Sequence, residues 1–280
     1  MSLLKSRGVH IDDDNYAIHV LSRINYYRLT AYLIPYKQDN GTYRPVEFAN
    51  IVNIYKFDQL LRFFCFQLIE QIEITFRTRL SYFHGHNYGP AGYLNANNFH
   101  DRTRHNEFLV SFFREKENNA KNLFISHHDD HYGGTLPIWV AVEICTLSTL
   151  SKLYSNMPMS DQRRVATSYG VPAEHIRSWI RCVCELRNRC AHYMRLYDHV
   201  FFSSIKTKDG LDIDVNNTRL YNIVLVSKYL VGDPPGDSDI WGKAITLLGG
   251  IIETFYLNVE LSKIGFPESW KEDLLSLPSF

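Results

Sequence analysis

The chain carries no excess charge of either sign: its 30 Lys and Arg are balanced by 30 Asp and Glu. That balance excludes nucleic-acid binding by bulk basicity, because such affinity comes from cations neutralising phosphates, but it leaves a local basic patch open. Cysteine is scarce. The five residues, Cys65, Cys145, Cys182, Cys184 and Cys190, form no C-x-x-C, which speaks against a disulfide framework or zinc knuckle and for a reducing cytoplasm. No apolar run has the length of a bilayer span, since Leu136 to Leu150 is interrupted by Glu143. No signal peptide opens the sequence. A soluble, cytoplasmic protein without a membrane partner is expected. A phosphate-binding glycine-rich loop and a hydrolase G-x-S-x-G are also absent.

What is present is globular material: 280 residues, 45% hydrophobic and 21% charged, enough for one large domain or two modest ones. Aromatics make up 14%, ring surface that suits helix–helix interfaces or a self-association surface. The patterning is helical. Asp12 to Tyr36 has an acidic start suited to the helix dipole. From Val46 to about Tyr82 an apolar stripe recurs at three- and four-residue steps through Ile54, Asp58, Leu61, Cys65 and Ile72. Further helices are predicted near Arg104 to Glu117, Ile138 to Tyr154, Asp161 to Tyr169, Pro172 to Tyr197, Asn217 to Leu230 and Asp239 to Leu261. Strand signals are confined to Val200–Ile205 and Leu211–Val215, which flank Lys208-Asp209-Gly210 as a small hairpin. The fold class is mostly α, a helical bundle with a small hairpin near 200–215. Residues 1–200 form the main domain, and 201–280 form a C-terminal hairpin plus helices packed on the same domain.

The chemistry concentrates between Ser178 and Tyr197. On a continuous helix, Cys184, Arg187, Asn188, Ala191, His192 and Arg195 share one face. Two arginines, an amide and a histidine, left uncrowded by Ala191, suit a phosphodiester. His192 would move the proton of a 2′-hydroxyl or of the leaving 5′-oxygen. Arg187 would stabilise charge on the phosphorus-bound oxygens, and Asn188 would orient the imidazole or a phosphate oxygen. Residues 161–195 hold seven Arg and no Lys against three acids, a net +4, whereas 196–280 sum to −5. The overall neutrality therefore hides a basic middle, in which Arg181, Arg189 and Arg195 are the candidate RNA-binding residues.

Arg187-Asn188-x-x-x-His192 resembles the R-x4–6-H signature of HEPN-domain ribonucleases. The surroundings are more specific: Ile24-Asn25-Tyr26-Tyr27-Arg28-Leu29, Tyr55-Lys56-Phe57-Asp58-x-x-Leu61-Arg62, Ile69-Glu70-x-x-Glu73-Ile74-x-x-Arg77, Pro137-Ile138-Trp139-x-x-x-Glu143 and Leu186 to Leu196, in that order. Together these resemble the Abi-like (AbiD/AbiF, Abi_2) family of bacterial abortive-infection proteins over about residues 3 to 200. The match starts so near the first residue that a short native leader is expected to be missing. The resemblance implies a HEPN-like helical bundle and a role in phage defence. It also implies a homodimer in which two R-x4-H helices face each other across one composite site. A two-fold axis beside His192 would supply a group on each side of the phosphorus.

The leading expectation is a metal-independent endoribonuclease, without cofactor, acting in abortive infection or as the toxin of a pair restrained by an RNA or protein antitoxin. The alternative is a non-catalytic RNA-binding or partner-binding regulator of the same fold. Glu73 and Arg77 are spaced as an i, i+4 ion pair, with Glu70 on the same face. Glu143 interrupts an apolar helix, so it either faces solvent or meets a buried arginine such as Arg77. Glu73, Arg77 and Glu143 are structural or support the active-site helix. His127-His128-Asp129-Asp130-His131 has ligand-type side chains for zinc or manganese and would belong to a metal-dependent hydrolase, although neighbours in a loop rarely converge on one ion.

Overall fold

A computed structural model describes residues 1–207, 213–214, 218–232 and 239–277. Thirteen α-helices lie among them: α1 Ser2–Ser6, α2 Asp14–Leu21, α3 Tyr26–Thr30, α4 Phe48–Tyr88, α5 Arg102–Asn118, α6 Leu123–Tyr132, α7 Ile138–Ile144, α8 Leu147–Asn156, α9 Met159–Thr167, α10 Ala173–Ala191, α11 Leu220–Val231, α12 Ile240–Phe255 and α13 Trp270–Ser276. Extended structure is limited to β1 Val9–His10 and β2 Val46–Glu47, a parallel pair with Val9 opposite Val46 and His10 opposite Glu47. The protein is mostly α.

The 41-residue α4 is the axis of the fold. Its apolar stripe buries Ile54, Phe57, Leu61, Phe64, Cys65, Ile72, Phe76 and Leu80. Because the stripe continues over so many turns, one helix serves several partners, and α7, α9, α10, α11 and α12 all pack on it. The helix α10 packs on α4, α8, α9 and α11 and buries Ile176, Trp179, Ile180, Val183 and Leu186, with the Trp179 ring against Tyr229 of α11. On its other side Glu174, Arg181 and Asn188 are exposed, and its C-terminal end is open to solvent.

Several predicted elements change at their ends. The segment Asp12 to Tyr36 divides into α2, α3 and a 3-10 turn over Ala31–Tyr36. Asp13 accepts the N–H groups of Asn15 and Tyr16 to start α2, and Asn25 accepts that of Tyr27 to start α3. The helix predicted over Ile138 to Tyr154 breaks at Cys145-Thr146, where the Thr146 hydroxyl accepts the Thr149 N–H and begins α8. The stretch holding His127 to His131 is the helix α6 rather than a loop. The expected first hairpin arm, 200–205, contains no strand. It runs beside α10, with the Phe202 and Ser203 N–H groups donating to the Glu185 carboxylate at 3.0 and 3.0 Å. Trp179 Nε1 donates to the Lys206 carbonyl at 2.9 Å. Lys208-Asp209-Gly210 and most of the second arm lie outside the described residues.

Candidate functional site

The R-x4-H segment occupies the last turns of α10, and the helix ends sooner than its sequence suggests. Ala191 is the last helical residue and His192 is the C-cap, its N–H donating to the Asn188 carbonyl at 3.0 Å. Tyr193 then turns left-handed, with φ of 54°. Its N–H donates to Cys190 O at 3.0 Å, and the Met194 N–H donates to Arg189 O at 2.8 Å. This pair of bonds is the Schellman termination, whose left-handed position is usually glycine. Arg195 consequently leaves the face it would share on a continuous helix. Asn188 and His192 are exposed and Arg187 is partly exposed, all within the last turns and C-cap of α10.

Arg187 is held by α4. Its Nε lies 3.4 Å from Glu73 Oε1, while Glu73 Oε2 lies 3.1 Å from an Arg77 Nη. Glu73 thus sits between two guanidinium groups. Arg77 is fixed in turn by the end of α7, donating to Val142 O and Cys145 O at 3.1 and 3.1 Å. Of the two placements open to Glu143, the structure shows the solvent-facing one, and Arg77 meets these carbonyls instead. Glu70 is exposed one turn away. Asn188 Oδ1 lies 3.5 Å from an Arg187 Nη.

A second set of residues fixes the turn after His192. Asp58, fully buried in α4, accepts the N–H groups of Leu196 and Tyr197 at 3.0 and 2.7 Å and the Tyr32 hydroxyl at 2.6 Å, and it pairs with Arg62. Burial pushes the Asp58 carboxyl up, and the Arg62 guanidinium and these donors pull it back. Arg62 also donates to Met194 O at 3.2 Å, and Arg28 donates to Tyr193 O at 2.6 Å. Arg28, Asp58 and Arg62 therefore position the C-terminal side of the motif. An acid and an arginine four residues apart inside an apolar stripe are the sequence signal for that buried pair.

The remaining arginines divide. Arg189 donates to Arg195 O at 2.6 Å, and Arg195 donates to Ala31 O at 2.8 Å, so both tie the turn to backbone carbonyls. Arg181 is exposed on α10 and points to a different side from Arg187. The turn is also bolted to the C-terminal region: Arg219 pairs with Asp198 at 3.0 Å, and the Tyr197 hydroxyl accepts the Glu260 N–H at 3.0 Å.

All five cysteines are free and buried. Burial pushes the Cys184 thiol, one turn before Arg187 in α10, up to about 12, which keeps it protonated. The His127 to His131 side chains do not converge on an ion. His128 and His131 donate to Phe124 O and His127 O on their own helix, and Asp129 accepts from Lys116 at 2.6 Å. Among the described residues, His10, Asp12 and Glu47 do bring three possible ligand atoms within 4.8 Å of one another, all on the surface.

Residues 19–198, well over half of the chain, match the family model described as Abi-like protein (Abi_2). The chain belongs to the Abi-like family, and its general field is abortive infection, a phage-defence response. No curated protein and no solved structure matches it. Among the described residues, no helix is long and apolar enough to cross a membrane.

Proposed function

We propose that the protein is a HEPN-type endoribonuclease acting in abortive infection or as the toxin of a regulated pair. The observation that carries this reading is the open end of α10. There Arg187, held by Glu73, and the exposed Asn188 and His192 lie within the last turns and the C-cap of one helix, followed by a turn fixed by Asp58, Arg62 and Arg28. Held groups of these types can align a 2′-hydroxyl with the adjacent phosphorus and stabilise the charge that develops. His192 takes the 2′-hydroxyl proton or delivers one to the leaving 5′-oxygen. Arg187 faces the non-bridging oxygens, and Asn188 orients the ring or the phosphate. The 2′-oxygen–phosphorus bond forms as the phosphorus–5′-oxygen bond breaks, giving a 2′,3′-cyclic phosphate and a 5′-hydroxyl. This chemistry needs no metal.

In this reading the protein is a homodimer with two motifs facing each other. Phe63, Phe66 and Ile74 are exposed on and beside the α4 face that carries Glu73 and Arg77, apolar surface that supports self-association next to the motif. A monomeric mass at micromolar concentration contradicts the composite site. The reading as a whole is tested by expressing wild type and His192→Ala side by side in bacteria. Growth arrest and new RNA ends with wild type alone support it. Equal phenotypes, with neither protein cutting RNA, favour the non-catalytic regulator.

A further inference from the structure

Tyr193 is a left-handed residue with a side chain that packs on little. Its φ of 54° places it at the position where helix terminations use glycine, which has no Cβ to clash, or asparagine. The ring gains little from burial, since Tyr193 is 66% exposed. Its backbone is nevertheless held on both sides: its N–H donates to Cys190 O, its carbonyl accepts from Arg28 at 2.6 Å, and the next carbonyl accepts from Arg62 at 3.2 Å. An aromatic ring is thus carried on a rigid, strained turn, adjacent in sequence to His192 and open to solvent. A tyrosine kept where glycine would end the helix without strain points to function.

We infer that Tyr193 is a stacking platform for a nucleobase, seating the nucleotide next to the phosphate that His192 and Arg187 address. This inference rests on the ribonuclease reading and assigns a base subsite within it. Every base has a π-face, so one ring can hold a base without reading its sequence. A base fixed on a residue bonded to the general acid/base also fixes the ribose between them, which aligns the 2′-hydroxyl for attack. The phenol oxygen has no part in stacking. Glycine at this position relieves the left-handed strain while removing the ring.

The test uses the full-length protein and a short, mixed-sequence RNA with 2′-O-methyl riboses, which can bind but cannot be cut. Affinity, thermal midpoint and oligomeric mass are measured for wild type, Tyr193→Phe and Tyr193→Gly. Tyr193→Phe should bind as wild type does. Tyr193→Gly should bind about ten- to a hundred-fold more weakly, the span of one base–aromatic stack, with a midpoint at or above that of wild type and unchanged mass. An abasic nucleotide scanned along the RNA should weaken wild type at one position and leave Tyr193→Gly unaffected there. Undiminished binding by Tyr193→Gly overturns the base platform while the ribonuclease reading stands. A fall in midpoint, or a shift from dimer to monomer, overturns it in favour of a structural or protein-contact role. Failure of wild type to bind any RNA overturns the ribonuclease reading itself.

Discussion

The carboxylate of Asp58 accepts the Tyr197 N–H at 2.7 Å, linking the first third of α4 to the turn that follows His192. With Leu196, Tyr32 and Arg62 also on this carboxylate, the geometry of the motif's end is a property of the longest helix. Asp58→Ala leaves the Arg62 guanidinium buried without its counter-charge, so a loss of about 3–5 kcal/mol is expected. Asp58→Asn keeps an acceptor and should lose less. Urea unfolding of the two variants checks the order. Equal stability of Asp58→Ala and wild type contradicts it.

Glu73→Gln addresses the other side of the motif. Arg77 keeps its two carbonyl partners in this variant, whereas Arg187 loses its charged anchor. The expected outcome is a kcat for RNA cleavage lowered about ten- to a hundred-fold through misplacement of the guanidinium, with a small change in thermal midpoint. An unchanged kcat shows that Arg187 needs no anchor.

Arg195→Ala separates an RNA contact from a tie within the fold. Arg195 donates to Ala31 O at 2.8 Å, so the variant should lose about 1–3 kcal/mol of stability by leaving that carbonyl unsatisfied. If Arg195 acts only through RNA, stability is unchanged and binding alone falls.

Acid should unfold the protein through two histidines. Burial lowers both His84 and His199 from an ordinary value of 6.5 to about 4. Above 6.5 both states bind no proton at these rings and the stability is intact. As pH falls from 6.5 toward 4, the unfolded chain takes up protons that the folded chain refuses, and stability declines. For the fully buried His84 the loss reaches on the order of 3 kcal/mol. Urea midpoints measured across this window should fall steadily, and His84→Phe, which keeps a ring between Tyr88 and Phe99, should flatten the slope. A slope unchanged in that variant contradicts the assignment.

Much of this architecture is written in local patterns. The stripe through Ile54, Leu61, Cys65 and Ile72 specifies α4, because one face of a long helix can be buried only at that spacing. The end of α10 was not legible. Its terminator is Tyr193, so the glycine or asparagine that ordinarily marks a left-handed cap is missing, and Arg195 reads as one more helical position. The break between α7 and α8 is hidden for a related reason, since the cap at Thr146 interrupts a run whose apolar spacing continues across it. β1 and β2 are two residues each, too short for alternation to register. Of the site, the R-x4-H residues were recognisable and so was the Glu73–Arg77 pair. The roles of Asp58, Arg62 and Arg28 were not, because their partners are backbone groups more than a hundred residues away in the chain.

His192 is exposed at the C-cap, so His192→Ala should fold as wild type does, which makes it the cleanest probe of the chemistry. The most direct measurement is the terminal structure of RNA incubated with purified wild type and His192→Ala in the presence of a chelator. The expected result is new 2′,3′-cyclic phosphate and 5′-hydroxyl ends with wild type and none with His192→Ala. Cleavage that persists undiminished in His192→Ala, or that appears only when metal is restored, contradicts the proposed mechanism.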